Sequence, residues 1–437
     1  MENDAAMLDL FVEVTPDEYL EAVSRANGWD GGRQIYNTRV VIWLMLYQRW
    51  EVASQKAAVA RLAEGRLNHL LTASKRVREG RISAATGAYA IAREDMPVAV
   101  LRELTDHSID QVRAAAGSGD CRPVFLLDGS TLTLEHVPEL LKAFPPGKNQ
   151  HGEGHWPILE VLVAHDLDSG VALRPVWGPM YGPQAVSEQQ LTEELLNRVP
   201  ANAVVMGDIN FGVFSVAYAA RQGGHDALLR LSRARAKRLV RKLRPGTDEP
   251  ICWRPSDWDR RKHPQLPADA EVSGRLIVVT VAGLREPLYL FTTLEDPVSA
   301  IGRMYLKRWN IETDLRSLKR TADLHHLTAK SLEMVEKELL AATIAYALVR
   351  GLMMVAARRA GLAPRQLSFA HVQVMLDAFI RGLCCPESPE FRQRQWERLL
   401  AYVAACKLPK RRKARQYPRE VWGFRQNFPR RRPPKIK

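Results

Sequence analysis

Three carboxylates frame the chemistry this chain could do. Asp128 ends a short apolar run in "PVFLLDGS", Asp208 ends another in "NAVVMGDINFG", and Glu312 lies in "YLKRWNIETDLRSLKR", Tyr305 to Arg320. Singly, each has an ordinary explanation. Aspartates often initiate turns, and Glu312 has Arg308 and Arg316 at the spacing of helical ion pairs. Together they suit phosphodiester cleavage and transfer, which can use two divalent metals about 4 Å apart. Mg²⁺ takes hard oxygen ligands from a few carboxylates, with phosphate and water completing its shell. In an open α/β sheet, such sites form where strand ends meet the loops that follow.

The stretch around Glu312 reads as a helix. At about 100° per residue, Tyr305, Arg308, Glu312, Arg316 and Lys319 fall within an arc of roughly 80°. Ile311, Leu315 and Leu318 make an adjacent apolar stripe, and Lys307, Asn310, Asp314 and Ser317 take the opposite side. The wheel thus places Glu312 among groups able to grip flanking phosphates and turns Asp314 to solvent.

The elements that must position these residues are legible in outline. Residues 1–118 read as helical, with a start signal at Thr15-Pro16 and a boundary at "GSGD", Gly117 to Asp120. The run after Asp128 reads as a hairpin turning at Asp168-Ser169-Gly170, then a helix from Ser187, a strand ending at Asp208, a helix and a strand. Three strands, then helix, strand, helix and strand, predict an α/β layer fold with a mixed sheet. Residues 233–297 hold prolines, Trp253, Trp258 and the strand-like runs "RLIVVTV" and "PLYLFTT", a β-rich insertion. Helix resumes at about Val298. "LLAATIAYALVRGLMMVAA", Leu339 to Ala357, is nearly long enough to span a bilayer, but Arg350 inside it favours a buried core helix.

The net charge of +14 is concentrated. Residues 407–437 carry 13 Lys and Arg against Glu420 alone, a net of +12 that leaves +2 for residues 1–406. "RLSRARAKRLVRKLR", Arg230 to Arg244, adds eight basic residues and no acid. Aromatics interleave the tail at Tyr417, Trp422, Phe424 and Phe428. Both elements suit phosphate contact, and solvated faces are the plainer alternative. The five cysteines are odd in number and form no C-x-x-C, which fits a reducing cytoplasm. The N-terminus lacks the pattern of a secretory signal. No G-x-x-x-x-G-K-[ST] supports a nucleotide cofactor, and "HGEGH", His151 to His155, has too much glycine for the helix a zinc pair would need. His325-His326 read as surface or DNA-contacting residues.

These residues carry a family resemblance. Asp128 in "LLDGSTL", Asp208 in "VVMGDINFG", and Y-x2-R-x3-E-x6-K as Tyr305, Arg308, Glu312 and Lys319 resemble the signature of bacterial DDE transposases of the insertion-sequence-four family. "TGAYAIAREDMP" and "RRKARQYPRE" are also similar to family segments, so the resemblance covers most of the chain. It implies a ribonuclease H-like catalytic core at 119–232 and 298–335, interrupted by the β-rich insertion at 233–297. The pattern itself marks C-terminal helices at 336–406 and a basic tail at 407–437, and the resemblance implies a helical DNA-binding domain at 1–118. It further implies Asp128, Asp208 and Glu312 as catalytic metal ligands, with two Mg²⁺ or Mn²⁺ per site. Tyr305, Arg308, Lys319 and Arg316 are then phosphate-binding. Trp253, or Trp258 in reserve, is the ring that stacks on a flipped base, unless both belong to the core of the insertion. The implied partners are double-stranded DNA, both element ends and target, and a second copy on paired ends, near the nucleoid. The implied steps are nicking, hairpin formation and opening, and strand transfer. Two other readings stand beside it: a catalytically inactive, transposase-derived DNA-binding repressor, and a metal-dependent hydrolase of small substrates, which leaves the tail unexplained.

Overall fold

The computed structural model describes residues 2–409 except 14, 33–34, 52, 66, 72–74, 117–121, 150–151, 282–285, 322–326 and 385–386. The boundary expected at Gly117 to Asp120, His325-His326 and the tail aromatics lie outside the described residues.

The strands are β1 (Val124–Thr133), β2 (Lys148–Asn149), β3 (Gly152–Glu153), β4 (Ile158–Asp166), β5 (Val176–Pro179), β6 (Val204–Gly207), β7 (Asp226–Leu231), β8 (Asp248–Trp253), β9 (Val272–Val279) and β10 (Leu288–Thr292). Eight of them form one sheet in the order β5-β4-β1-β6-β7-β10-β9-β8, and β2 and β3 pair separately. β6 is parallel to both β1 and β7, and the other neighbours are antiparallel. This is the mixed α/β sheet expected from the element order. β4 and β6 are buried nearly throughout because both of their faces are covered. Helix Phe214–Gln222 supplies the crossover that a parallel β6–β7 pair requires. The strands between 233 and 297 continue this same sheet: β10 pairs with β7 through Tyr289↔Leu231, and β9 and β8 follow outward.

One expectation is corrected. Asp128 does not end its strand at a turn. β1 runs on to Thr133, and β4 pairs with it along that whole stretch, Asp128↔Val163 and Gly129↔Leu162 through Thr133↔Ile158. A continuous antiparallel ladder overrides the local turn tendency of Asp-Gly. Only on its other side, against β6, does β1 lose its partner, after Leu126↔Met206.

Helices before 117 and after 331 build the other half of the core around Leu332–Arg359. That helix is 28 residues long and apolar enough to cross a membrane, yet its most apolar 18-residue window is wholly buried inside the protein. Helices Glu2–Glu13, Thr38–Trp50 and Val98–Ala116 pack on it from the N-terminal region, and Phe369–Cys384 and Pro389–Ala405 from the C-terminal side. Gly351 lets the first of these come close, since a Cβ there would stand 2.6 Å from the Met7 sulfur. The charges on the long helix are matched. Glu338 faces Arg49 at 3.1 Å and Arg93 at 3.7 Å, and the Lys337 ammonium donates to the carbonyls of Arg93 and Glu94. Such pairing is what permits burial of ionised groups.

Candidate active site

The parallel register of β1 and β6 sets the centre. Leu126 is level with Met206, so Asp128 and Asp208 each lie two residues past the last paired position. Asp208 is the first residue beyond β6, and its Oδ1 accepts the Asn210 backbone N–H at 2.8 Å, a self-made turn at the strand end. Asp128 accepts the Gly129 N–H at 3.0 Å. Burial, then the neighbouring charge of Asp208, pushes the Asp128 carboxyl up to about 6 from an ordinary 3.8. Glu188 adds to that rise, while Arg308 opposes it. A carboxylate destabilised by a like charge, with oxygen donors beside it, is chemistry that suits a hard divalent cation. Among the described residues, however, no group of three or more His, Cys, Asp and Glu closes to metal-holding geometry.

The basic residues arrive from the opening stretch. Tyr305 ends helix Val298–Leu306, Arg308 lies in a 3₁₀ turn at Lys307–Trp309, and helix Asn310–Thr321 carries Glu312, Arg316 and Lys319. Burial pushes the Tyr305 phenol up to about 12, against the lowering effect of Arg308 and Arg230. Arg308 is buried and lies over the Trp309 ring at 5.0 Å. Burial holds the Lys319 ammonium below its usual value, and the charges of Asp128 and Glu160 work against that. The structure therefore brings Asp128, Asp208, Tyr305, Arg308 and Lys319 into one electrostatic neighbourhood. Glu312 and Arg316 stand on the exposed side of their helix.

The wheel failed for Asp314. It is wholly buried, and its Oδ1 receives Arg350 Nη2 at 2.5 Å and Arg365 Nη1 at 2.9 Å. Burial alone would raise this carboxyl; the two guanidinium groups more than offset that and hold it below its ordinary range. The physical cause is local: Asp314 lies only about 40° from Leu318 on any wheel, beside the Ile311, Leu315 and Leu318 stripe, and charge type alone assigned it to water.

The tryptophan preference is likewise corrected. Trp253, at the end of β8, is 4% exposed and packs edge-on against Phe291 at 4.9 Å, so it offers no free face to a base. Trp258, the reserve, is 51% exposed on helix Asp257–Lys262.

Two carboxylates not anticipated from the sequence join the group. Glu188 opens helix Glu188–Leu196 behind a capping box of Ser187 and Gln190. Its carboxylate lies against Gly129 and accepts the Asn210 side-chain amide. Glu160, opposite Thr131, is buried and hydrogen-bonded to Glu188. Burial, with the charge of Glu188, pushes it up to about 7. A first-turn glutamate normally reads as a helix-dipole complement, so Glu188 gave no local signal. Glu160 sat in a strand expected to be plain core. Near the zinc-like motif, His155 stacks on His136 at 4.0 Å.

Comparison with known proteins accords with this geometry. The chain is 29% identical over 307 residues to the transposase InsG for insertion sequence element IS4 of Escherichia coli (strain K12), over 68% of this chain and 66% of that protein. The match thus spans slightly less than two thirds of the relative's length. The Transposase DDE domain family matches residues 119–348, from just before β1 well into the long central helix, and takes in Asp128, Asp208 and Glu312. With more than half of its length covered in this way, the chain belongs to the DDE-domain transposases.

Proposed function

We propose that this protein is the transposase of an insertion sequence of the insertion-sequence-four group. On this reading it binds the element's ends and carries out nicking, hairpin formation and opening, and strand transfer into target DNA. The observation that carries it is the pair Asp128 and Asp208, side by side past the end of the β1–β6 ladder, with Lys319 and Arg308 acting on the same space. The sheet supports a ribonuclease H-like core: around β1 the order is β5-β4-β1-β6-β7, antiparallel on one side and parallel on the other.

Asp128, Asp208 and Glu312 are the residues that would hold the Mg²⁺ or Mn²⁺ ions, two per site. When bound, such ions activate the attacking water or 3′-hydroxyl and stabilise the leaving oxygen. Glu312, exposed at the start of its helix, would complete that set. Lys319, Arg308 and Arg316 hold the flanking phosphates in line for attack, while Tyr305, expected among the phosphate contacts but only 3% exposed, braces Arg308 from the core. Arg233, Lys237, Arg238, Arg241, Lys242 and Arg244 are exposed around helix Arg233–Leu239, a strip suited to the DNA backbone. Asp259, the residue after Trp258, acts electrostatically on Arg235 of that helix. Trp258 therefore replaces Trp253 as the ring for a flipped base. The active species is a pair of copies on paired ends.

The test is incubation of linear DNA bearing the element's own ends with Mg²⁺. Wild type should nick at the ends, and Asp208→Ala should bind the same DNA without nicking it. Binding by both with nicking by neither would leave the DNA-binding repressor as the better reading. Trp258→Ala should leave the unfolding temperature unchanged and nicking intact, while slowing hairpin formation by roughly tenfold, the value of one base–aromatic stack. Equal hairpin yields from wild type and Trp258→Ala would remove this ring from the mechanism.

A further inference from the structure

The β1–β6 ladder stops at Leu126↔Met206, two residues short of both aspartates. No backbone pairing between these strands sets the separation of Asp128 and Asp208, which a shared cation would need to be fixed. One side chain bridges that gap. The Glu188 carboxylate presses on Gly129, where any Cβ would overlap Oε1, so residue 129 must be glycine for the contact to exist. Its other oxygen accepts the Asn210 side-chain amide. Asn210 in turn donates its backbone N–H to Asp208, and the Gln189 amide holds the Asn210 carbonyl at 2.7 Å. Glu188 itself is anchored at a helix start by the reciprocal bonds of Ser187 and Gln190, and from behind by Glu160. It therefore ties the residue after Asp128 to the loop that holds Asp208.

We propose that Glu188 is a positioning residue that sets the spacing of Asp128 and Asp208 for the divalent cation. It acts through Gly129 and Asn210, and is not itself a ligand. The inference rests on the reading that the two aspartates bind that cation.

The experiment measures Mn²⁺ binding to the full chain by the loss of the free-ion electron paramagnetic resonance signal, for wild type, Glu188→Ala, Glu188→Gln and Asn210→Ala. Glu188→Ala should weaken binding 10- to 100-fold, the usual effect of losing an outer-shell partner. Glu188→Gln keeps the shape and an acceptor for Asn210, and should recover most of the affinity. Asn210→Ala cuts the same tie from its other end, so it should weaken binding too, and the double variant should be little worse than either single. These variants touch different elements, so a folding defect in one leaves the other as the test. If Glu188→Ala or Asn210→Ala binds Mn²⁺ as wild type does, the tie is refuted and the metal reading stands. If wild type takes up no Mn²⁺, the metal reading falls and takes the tie with it.

Discussion

Asp128→Asn should unfold later than wild type at pH 7 in the absence of divalent cation, while losing the strand cleavage proposed for the wild type. The Asp128 carboxyl stands at about 6 in the folded protein against an ordinary 3.8. A carboxyl raised by folding favours the native state only when protonated. Its contribution is fully present below pH 3.8 and is lost as pH rises through about 6. Above that, the native state bears the full cost of holding the charge, about 3 kcal/mol for a shift of roughly two units. Asparagine removes this cost and keeps an oxygen for the Gly129 N–H. Urea denaturation should therefore show the variant ahead by about 3 kcal/mol at pH 7, with the gap closing as pH falls toward 4. A variant no more stable than wild type at pH 7 would mean that Asp128 is not electrostatically crowded. A function that needs negative charge concentrated in a partly dry site is expected to cost stability in this way.

How much of this was readable in advance depended on the range of the interactions involved. The main strands and helices from β1 to β7 followed from apolar periodicity and turn chemistry, because those act within about ten residues; the short helix Pro138–Ala143 and the two-residue strands β2 and β3 did not. Asp208 at its strand end was legible for the same reason. Asp128 was located, but its setting was misjudged: the ladder with β4 that carries β1 past Asp-Gly involves residues about 35 positions away. Trp253 and Trp258 look alike in the sequence, and only the sheet, by laying β8 against β9, decided which ring is covered. Glu188 needed three separate segments to meet before it meant anything beyond a helix cap. Asp314 is the extreme case, since its partners stand 36 and 51 residues downstream.

Those partners make Arg350→Met one of the most damaging single changes expected away from the carboxylates. Arg350 is 4% exposed, gives Nη2 to Asp314 and Nε to the Tyr346 hydroxyl at 2.9 Å, and that hydroxyl donates to the Gly170 carbonyl at 2.8 Å. Gly170 adopts a positive φ of 71° at the turn after β4, and a Cβ there would be 3.0 Å from the Arg350 guanidinium carbon. The helix with Glu312 and Lys319 is thereby clamped to the central helix and to the end of β4. Methionine fills much of the arginine's volume but leaves Asp314 buried with Arg365, which is 22% exposed, as its remaining ion-pair partner among the described residues. Breaking a buried pair from one side costs about 3–5 kcal/mol, read as a lower urea midpoint at pH 7. If uncompensated charge is the cause, Asp314→Leu combined with Arg350→Met should recover most of the loss, since apolar replacement of both partners is often close to neutral. Should the double variant be as unstable as Arg350→Met alone, packing around the guanidinium, including its contacts over the Tyr346 and Phe369 rings at 5.2 and 5.1 Å, would be what the arginine supplies. Recovery of stability without recovery of cleavage would show that the clamp, beyond holding the core together, aims the Glu312 helix at the aspartates.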